Sequence, residues 1–424
     1  MVPLARLLLI SGLVALPPAA AGQTGAPGRA DRETRERLGP LTLYSEDGRD
    51  ALSLGLAAQL PTTINPRDLV EEGPQTTETT VQFRRIRLRF RGQLWDEKLS
   101  TLLQFDLAPR APQLMDLYLQ YNVASQLKLR VGQHRIPFAR YGMQWVTWLA
   151  MAEWPITAPF FGNERQIGLT VHNSSPQTPP RWEYALGVFT GEARHALHGA
   201  ALARDYGELP TNPSSLRDTA APGDINPELV LHLGHNSPGM KLRNVDNRTT
   251  RLGYAFALAA AWDIRPTAAR EPAARFSADV AFKLRTFQLS AVGYLALIEE
   301  VADGDLQLGL LGVLAEAGWH FLPRWELLAR YALVRRTKRL LEDARGHADE
   351  RIAAAAEDQQ QAVIERYREA GMVEGDHELA GGVTFYLVGD AIKLQTDVTW
   401  LRFDRDDATF SDDLRIQIQF QLEI

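Results

Sequence analysis

Hydrophobic and polar positions alternate along most of this chain. At the C-terminus Leu414, Ile416, Ile418, Phe420, Leu422 and Ile424 fall on one side and Arg415, Gln417, Gln419, Gln421 and Glu423 on the other. A period of two over eleven residues makes a strand with one apolar and one polar face. The same kind of pattern predicts strands at 51–60, 81–94, 98–107, 114–121, 126–133, 164–173, 181–190, 227–235, 250–263, 274–285, 286–298, 305–320, 324–336, 376–388, 390–402 and 412–424, sixteen in all. Each is about ten residues, the length a tilted strand needs to cross a hydrocarbon core. Segments 286–298 and 305–320 are nearly all apolar, so alternation does not settle which way their side chains face.

The connections carry a second pattern. Tight turns at 95–97, 122–125, 285–286, 322–324 and 389–390 alternate with mostly long loops at 61–80, 134–163, 191–226, 264–273, 337–375 and 403–411. Together these predict an all-β fold, a sixteen-stranded antiparallel transmembrane β-barrel with short periplasmic turns and long outer loops. Only 236–249 is long for a periplasmic turn. A soluble two-sheet sandwich would also alternate, but it accounts less well for the loop lengths. It also leaves unexplained Trp145, Trp148, Trp154, Trp182, Trp262, Trp319, Trp325 and Trp400 near strand ends, where barrels place interfacial rings. The third outer loop, 134–163, carries too many aromatics for a solvated excursion and is expected to fold inward as a constriction loop bearing His134, Arg135 and Arg140. Residues 337–375, rich in Ala, Glu, Gln and Arg, read as a helical or disordered outer-loop insertion.

Composition narrows the function. Among 424 residues there is no Cys, which excludes disulfides, thiolate metal sites and Cys nucleophiles. A net charge of -6 argues against nucleic acid as a partner. Residues 1–21, with Arg6, an apolar run from Leu7 to Leu16 and small residues at Ala19 and Ala21, read as a signal peptide. The polar stretch 22–50 reads as a periplasmic lead, followed by the barrel from 51 to 424. There is no Gly-x-Ser-x-Gly and no phosphate-cradling Gly-Lys loop, so neither an enzyme nor a cofactor is indicated. His195 with His198, and His232 with His235, are three apart, which in a strand sets each pair on opposite faces and speaks against a metal site.

The strongest chemical signal is Arg85, Arg87, Arg89 and Arg91, every second residue of one strand, opposite Ile86, Leu88 and Phe90. Four cations in lipid would be costly, so the arginines must face a polar interior and the apolar residues the bilayer. A column of planar, two-pronged donors suits oxyanions. The competing reading is a polar face neutralised by acids such as Asp106 and Asp116. Facing also places Lys128, Arg130, Lys283, Arg330 and Lys393 inside, among twelve inward bases against seven inward acids, which predicts a positive lumen.

Phe83-Arg84-Arg85-Ile86-Arg87-Leu88, Asp116-Leu117-Tyr118-Leu119-Gln120-Tyr121, Val131-Gly132-Gln133 followed by Pro137-Phe138, and Arg165-Gln166-Ile167-Gly168 resemble the phosphate-selective porins of the O/P type over about residues 80–172. That resemblance implies a homotrimeric outer-membrane barrel in contact with bilayer and lipopolysaccharide. It also implies passage of phosphate or polyphosphate past an arginine lining of Arg85, Arg87, Arg89, Arg91 and Arg130. Ile424 departs from the aromatic residue usual at the end of such porins, and 337–372 is an insertion the family pattern does not require. The expected function is passive diffusion of small anions across the outer membrane; the alternative is a barrel whose long outer loops bind a partner or surface.

Overall fold

In a computed structural model of the protein, residues 41–66, 77–108, 112–161, 165–174, 179–190, 227–241, 249–264, 272–299, 306–342, 353, 373–405 and 410–424 are described. The predicted signal peptide, His195, His198 and most of the 337–375 insertion lie outside them. The strands are β1 Leu41–Tyr44, β2 Ala51–Pro66, β3 Thr77–Val81, β4 Arg85–Leu94, β5 Leu99–Asp106 and β6 Gln113–Ala124. They continue with β7 Leu127–Arg135, β8 Arg165–His172, β9 Trp182–Phe189, β10 Glu228–Asn236, β11 Thr249–Asp263 and β12 Pro272–Arg285. The last six are β13 Phe287–Glu299, β14 Leu306–Leu322, β15 Trp325–Arg336, β16 Val373–Val388, β17 Ile392–Arg405 and β18 Phe410–Glu423.

Strands β4 to β18 pair antiparallel in sequence order, and β18 returns to β2 with Gln421 opposite Gln59. Towards its C-terminal end β2 pairs with β3, and over its first nine residues with β4. Strands β3 and β4 are therefore one crossing interrupted at 82–84, and sixteen crossings close a barrel. Closure satisfies every ladder without leaving an edge, which a sheet in lipid requires.

Burial is inverted relative to a soluble protein. In β18, Gln417, Gln419 and Gln421 are buried while Ile418 and Phe420 are exposed. In β4 the arginines at 85, 87 and 89 are buried and Ile86, Leu88 and Phe90 are half-exposed. Leu119, Val131, Leu169, Leu186, Leu231 and Leu258 continue the exposed apolar belt around the barrel. This is what strands between lipid and a polar interior adopt. At the ends joined by tight turns Phe287 stacks on Trp319 with ring centroids 5.6 Å apart, and Trp325 lies 4.6 Å from Phe385. Those rings form part of an interfacial girdle. Trp145, Trp148 and Trp154 do not: they sit in the third loop, whose fold takes them away from the strand ends.

The two strands of undecided facing are resolved. In β13, Val292, Tyr294 and Ala296 point inward, and in β14, Leu310, Leu314 and Glu316 do. Both faces are apolar because the inner one packs against the third loop, not against water. The lead also contributes a strand that its four residues were too few to reveal. Ile424 exchanges two backbone hydrogen bonds of 2.9 Å with Leu56, and Leu41 of β1 pairs with Leu54, so β1 takes up the edge of β2 where β18 stops.

Candidate functional site in the barrel lumen

Alternation on β4 delivers its four arginines to one side of the wall, about 6.6 Å apart along the strand. At that spacing two cations repel by about 2.5 kcal/mol for an effective dielectric near 20, so a packed column needs counter-charges. Three of the four have them. Arg85 donates to Gln59 at 2.9 Å and to Glu153 at 3.2 Å. Arg87 donates to Asp106 at 3.4 Å, and Arg89 pairs with Glu423 and with Gln104 at 2.9 Å. All three are nearly inaccessible to water. They differ in this from the open, water-lined column expected from the sequence; the neutralising role of Asp106 is the competing reading realised. Asp116 instead pairs with Arg165 at 3.0 Å.

Between β7 and β8 the chain turns into the barrel. Pro137 and Phe138 leave the strand, short helices form at Arg140–Met143 and Ala158–Phe161, and a 3-10 turn spans Val146–Trp148. Ile136, Phe138, Tyr141, Leu149, Ile156 and Phe161 form an apolar cluster with inward residues of strands between β9 and β17, and Leu340, at the start of the insertion, joins it. Phe161 stacks on Tyr294 at 4.8 Å, and Gly312 leaves space for its ring.

Polar anchors fix the loop to the far wall. Lys393 donates to the Leu149 carbonyl at 2.6 Å, and Gln395 to that of Ala150 at 2.7 Å. The amides of Ala152 and Ile156 donate to Asp397 and Glu378 at 2.5 and 2.8 Å. Arg330 donates to Glu378 at 2.6 Å and to the Glu153 carbonyl at 2.9 Å. At the loop's root Arg140 meets Glu183 at 2.6 Å and Asp279 at 3.3 Å, and Arg135 donates to the carbonyls of Gly142, at 2.7 Å, and Gln144. His134 bonds Thr170 at 2.8 Å, inside the wall. Lys393, Arg330, Arg135 and Arg140, all singled out in the sequence, are thus held by carbonyls of the loop and by acids of the wall. Lys283 is buried on β12.

More acids are buried in the barrel than the seven behind the expected positive lumen, and more bases as well, Arg165 and Arg336 among them. Glu183, Glu228, Glu316, Asp376, Glu378 and Asp390, none counted among the inward acids, are all buried. Strict alternation through Glu183, Ala185, Gly187 and Phe189 was the signal for the first of them. On the β4 to β7 side three bases are less enclosed than Arg85, Arg87 and Arg89. Arg91, Lys128 and Arg130 are half-buried there. Arg130 donates twice to Gln120, at 3.1 and 2.7 Å, and lies over the Tyr118 ring at 4.4 Å. Lys128 reaches the Ser174 carbonyl at 3.4 Å. Among the described residues neither Arg91 nor Arg130 has a carboxylate at ion-pair distance, whereas Arg85, Arg87 and Arg89 do.

The sequence matches the family "phosphate-selective porin O and P" over residues 68–424. The chain belongs to that family. As a member of it the protein is an outer-membrane channel. The solved outer membrane channel DcaP of Acinetobacter baumannii has a similar fold, with a TM-score of 0.54 at 11% identity, covering 91% of this chain and all of that one. An anion-selective porin from Comamonas acidovorans gives a TM-score of 0.54 at 9% identity, covering 88% of this chain and 100% of that one. OprB of Pseudomonas putida gives 0.51 at 10% identity, covering 88% and 94%. At such identities the likeness is one of fold. The sequence matches none of the curated proteins.

In this porin Glu153 is the loop's main counter-charge to the arginine column. Burial pushes its carboxyl up, but Arg84 at 2.9 Å, with Arg85 and Arg415, outweighs burial and holds it down at about 2. A depressed carboxylate contributes stability above its ordinary range that is lost as pH falls through the folded value. Single-channel current is therefore expected to stay steady down to about pH 4 and to become noisy towards pH 2. Glu153→Gln should bring that noise to neutral pH; a quiet mutant channel would remove Glu153 from the loop's anchorage.

Proposed function

We propose that this porin conducts small anions, phosphate or polyphosphate among them, by passive diffusion along the β4 to β8 side of the lumen, with 134–163 as its constriction loop. What carries the reading is the state of Arg91 and Arg130. Both are half-buried and face the interior, and neither is consumed by a carboxylate among the described residues. Arg85, Arg87 and Arg89, paired with Glu153, Asp106 and Glu423, stand behind that surface, and Lys128 lies half-buried beside it. A fixed cation in a low-dielectric wall favours anions over cations in the water beside it, and planar guanidinia offer oxyanions two parallel hydrogen bonds. The Comamonas porin, a protein of like fold, is anion-selective, which supports the same direction.

Purified protein in a planar bilayer under a potassium chloride gradient should give a reversal potential of anionic sign. Arg91→Glu with Arg130→Glu should reverse it. Cation preference in the unmodified channel would defeat the reading, and an unchanged potential in the double mutant would take the role from these two residues. We further read the mature protein as starting after the signal peptide and assembling as a homotrimer in contact with lipopolysaccharide; cross-linking in native membranes should give a three-chain band.

A further inference from the structure

Arg91 and Arg130 share their surroundings with two aromatic rings. Along the sheet Arg91 is opposite Leu102, and Leu102 is opposite Tyr118, so Arg91, Leu102 and Tyr118 form one inward row across β4, β5 and β6. Arg130 closes the row from β7, lying over the Tyr118 ring. From the loop, the Trp145 indole has the Arg89 guanidinium at 4.7 Å and that of Arg91 at 5.5 Å.

Trp145 differs from the loop's other rings. Phe138, Tyr141, Phe160 and Phe161 are in the apolar cluster, Trp154 packs against it, and Trp148 is buried. Trp145 stays half-exposed beside the ladder, as Tyr118 does on the wall. The donors beside them have capacity left. Arg91 makes no side-chain hydrogen bond among the described residues. Arg130 uses Nε and one Nη on Gln120 and leaves the other.

A bare hydrated oxyanion gains from the two arginines and nothing from two apolar ring faces. A planar aryl group carrying a carboxylate gains from both: the carboxylate takes the guanidinium donors and the ring takes the aromatic face. We infer that the Arg91, Tyr118, Arg130 and Trp145 cluster is a subsite for aromatic carboxylates. The inference rests on the anion-conducting reading above and narrows it from small anions in general to aryl anions as a preferred solute class.

Benzoate, acetate and inorganic phosphate, each added to a single channel carrying chloride current, test it. Benzoate should block at a concentration at least ten times lower than acetate or phosphate. Trp145→Ala should shrink that ratio to about one, and Trp145→Phe, which keeps a ring, should retain most of it. Equal block by benzoate and acetate in the unmodified channel overturns the subsite, and so does a ratio unmoved by Trp145→Ala. Should the alanine variant fail to insert, the unmodified comparison still decides. Cation-selective current under the chloride gradient would instead overturn the underlying reading, so the two failures are separate.

Discussion

Replacing Arg330 with methionine should release the third loop. Arg330 is buried on β15, and it compensates Glu378 directly at 2.6 Å and Glu316 at 3.8 Å while holding the Glu153 carbonyl. Glu378 in turn accepts from the Ile156 amide, and Glu316 from the Tyr141 hydroxyl at 3.2 Å. Removing one partner of a buried ion pair leaves an uncompensated charge and costs about 3–5 kcal/mol. Here that cost falls on contacts joining the loop to the wall. The expected result is larger, noisier single-channel conductance with a lowered unfolding temperature of the folded barrel. Adding Glu378→Gln should recover part of the loss, since it removes one of the stranded carboxylates. Conductance indistinguishable from the unmodified channel would show that the loop is held by its apolar cluster alone.

Gly132→Ala should be as damaging, for a backbone reason. Gly132 has φ +123°, and a Cβ there would meet the Leu117 carbonyl oxygen at 2.2 Å and the Tyr118 Cα at 2.9 Å, both main-chain atoms on β6. Neither can rotate away. A non-glycine residue in such a conformation costs of order 1–3 kcal/mol before the clash, so about 3 kcal/mol or more is expected in total. The break would fall in the β6–β7 ladder, next to Arg130 and to His134, whose ring bonds the Gly132 carbonyl at 2.9 Å. The measurement is the fraction of protein that reaches the heat-modifiable folded form. Normal yield with unchanged melting would contradict the argument.

The barrel itself was legible because lipid enforces facing so strictly. All sixteen predicted strands correspond to crossings, most within a few residues of their expected bounds, since an apolar residue turned inward or an arginine turned outward is penalised at each position. The constellation inside was less legible. Arg85 meets Glu153 across 68 residues, and Arg330 reaches the Glu153 carbonyl across 177, and no periodicity along a strand announces a partner that arrives from a loop. The same cause hid the facing of β13 and β14. Their inner faces look like lipid-facing ones because Tyr294, Leu310 and Leu314 pack against a folded-in segment.

The seam has a topological consequence. Strand β18 ends beside Leu56 and β1 begins beside Leu54, both antiparallel to β2, so the two lie end to end and point the same way. Only Gly55 stands between their partners. The barrel is closed there by a splice of two strand pieces that mimics one continuous strand. Joining Ile424 to Leu41 through a short linker and reopening the chain in another loop would give a permuted protein with every ladder intact, in which β18 and β1 become one continuous strand.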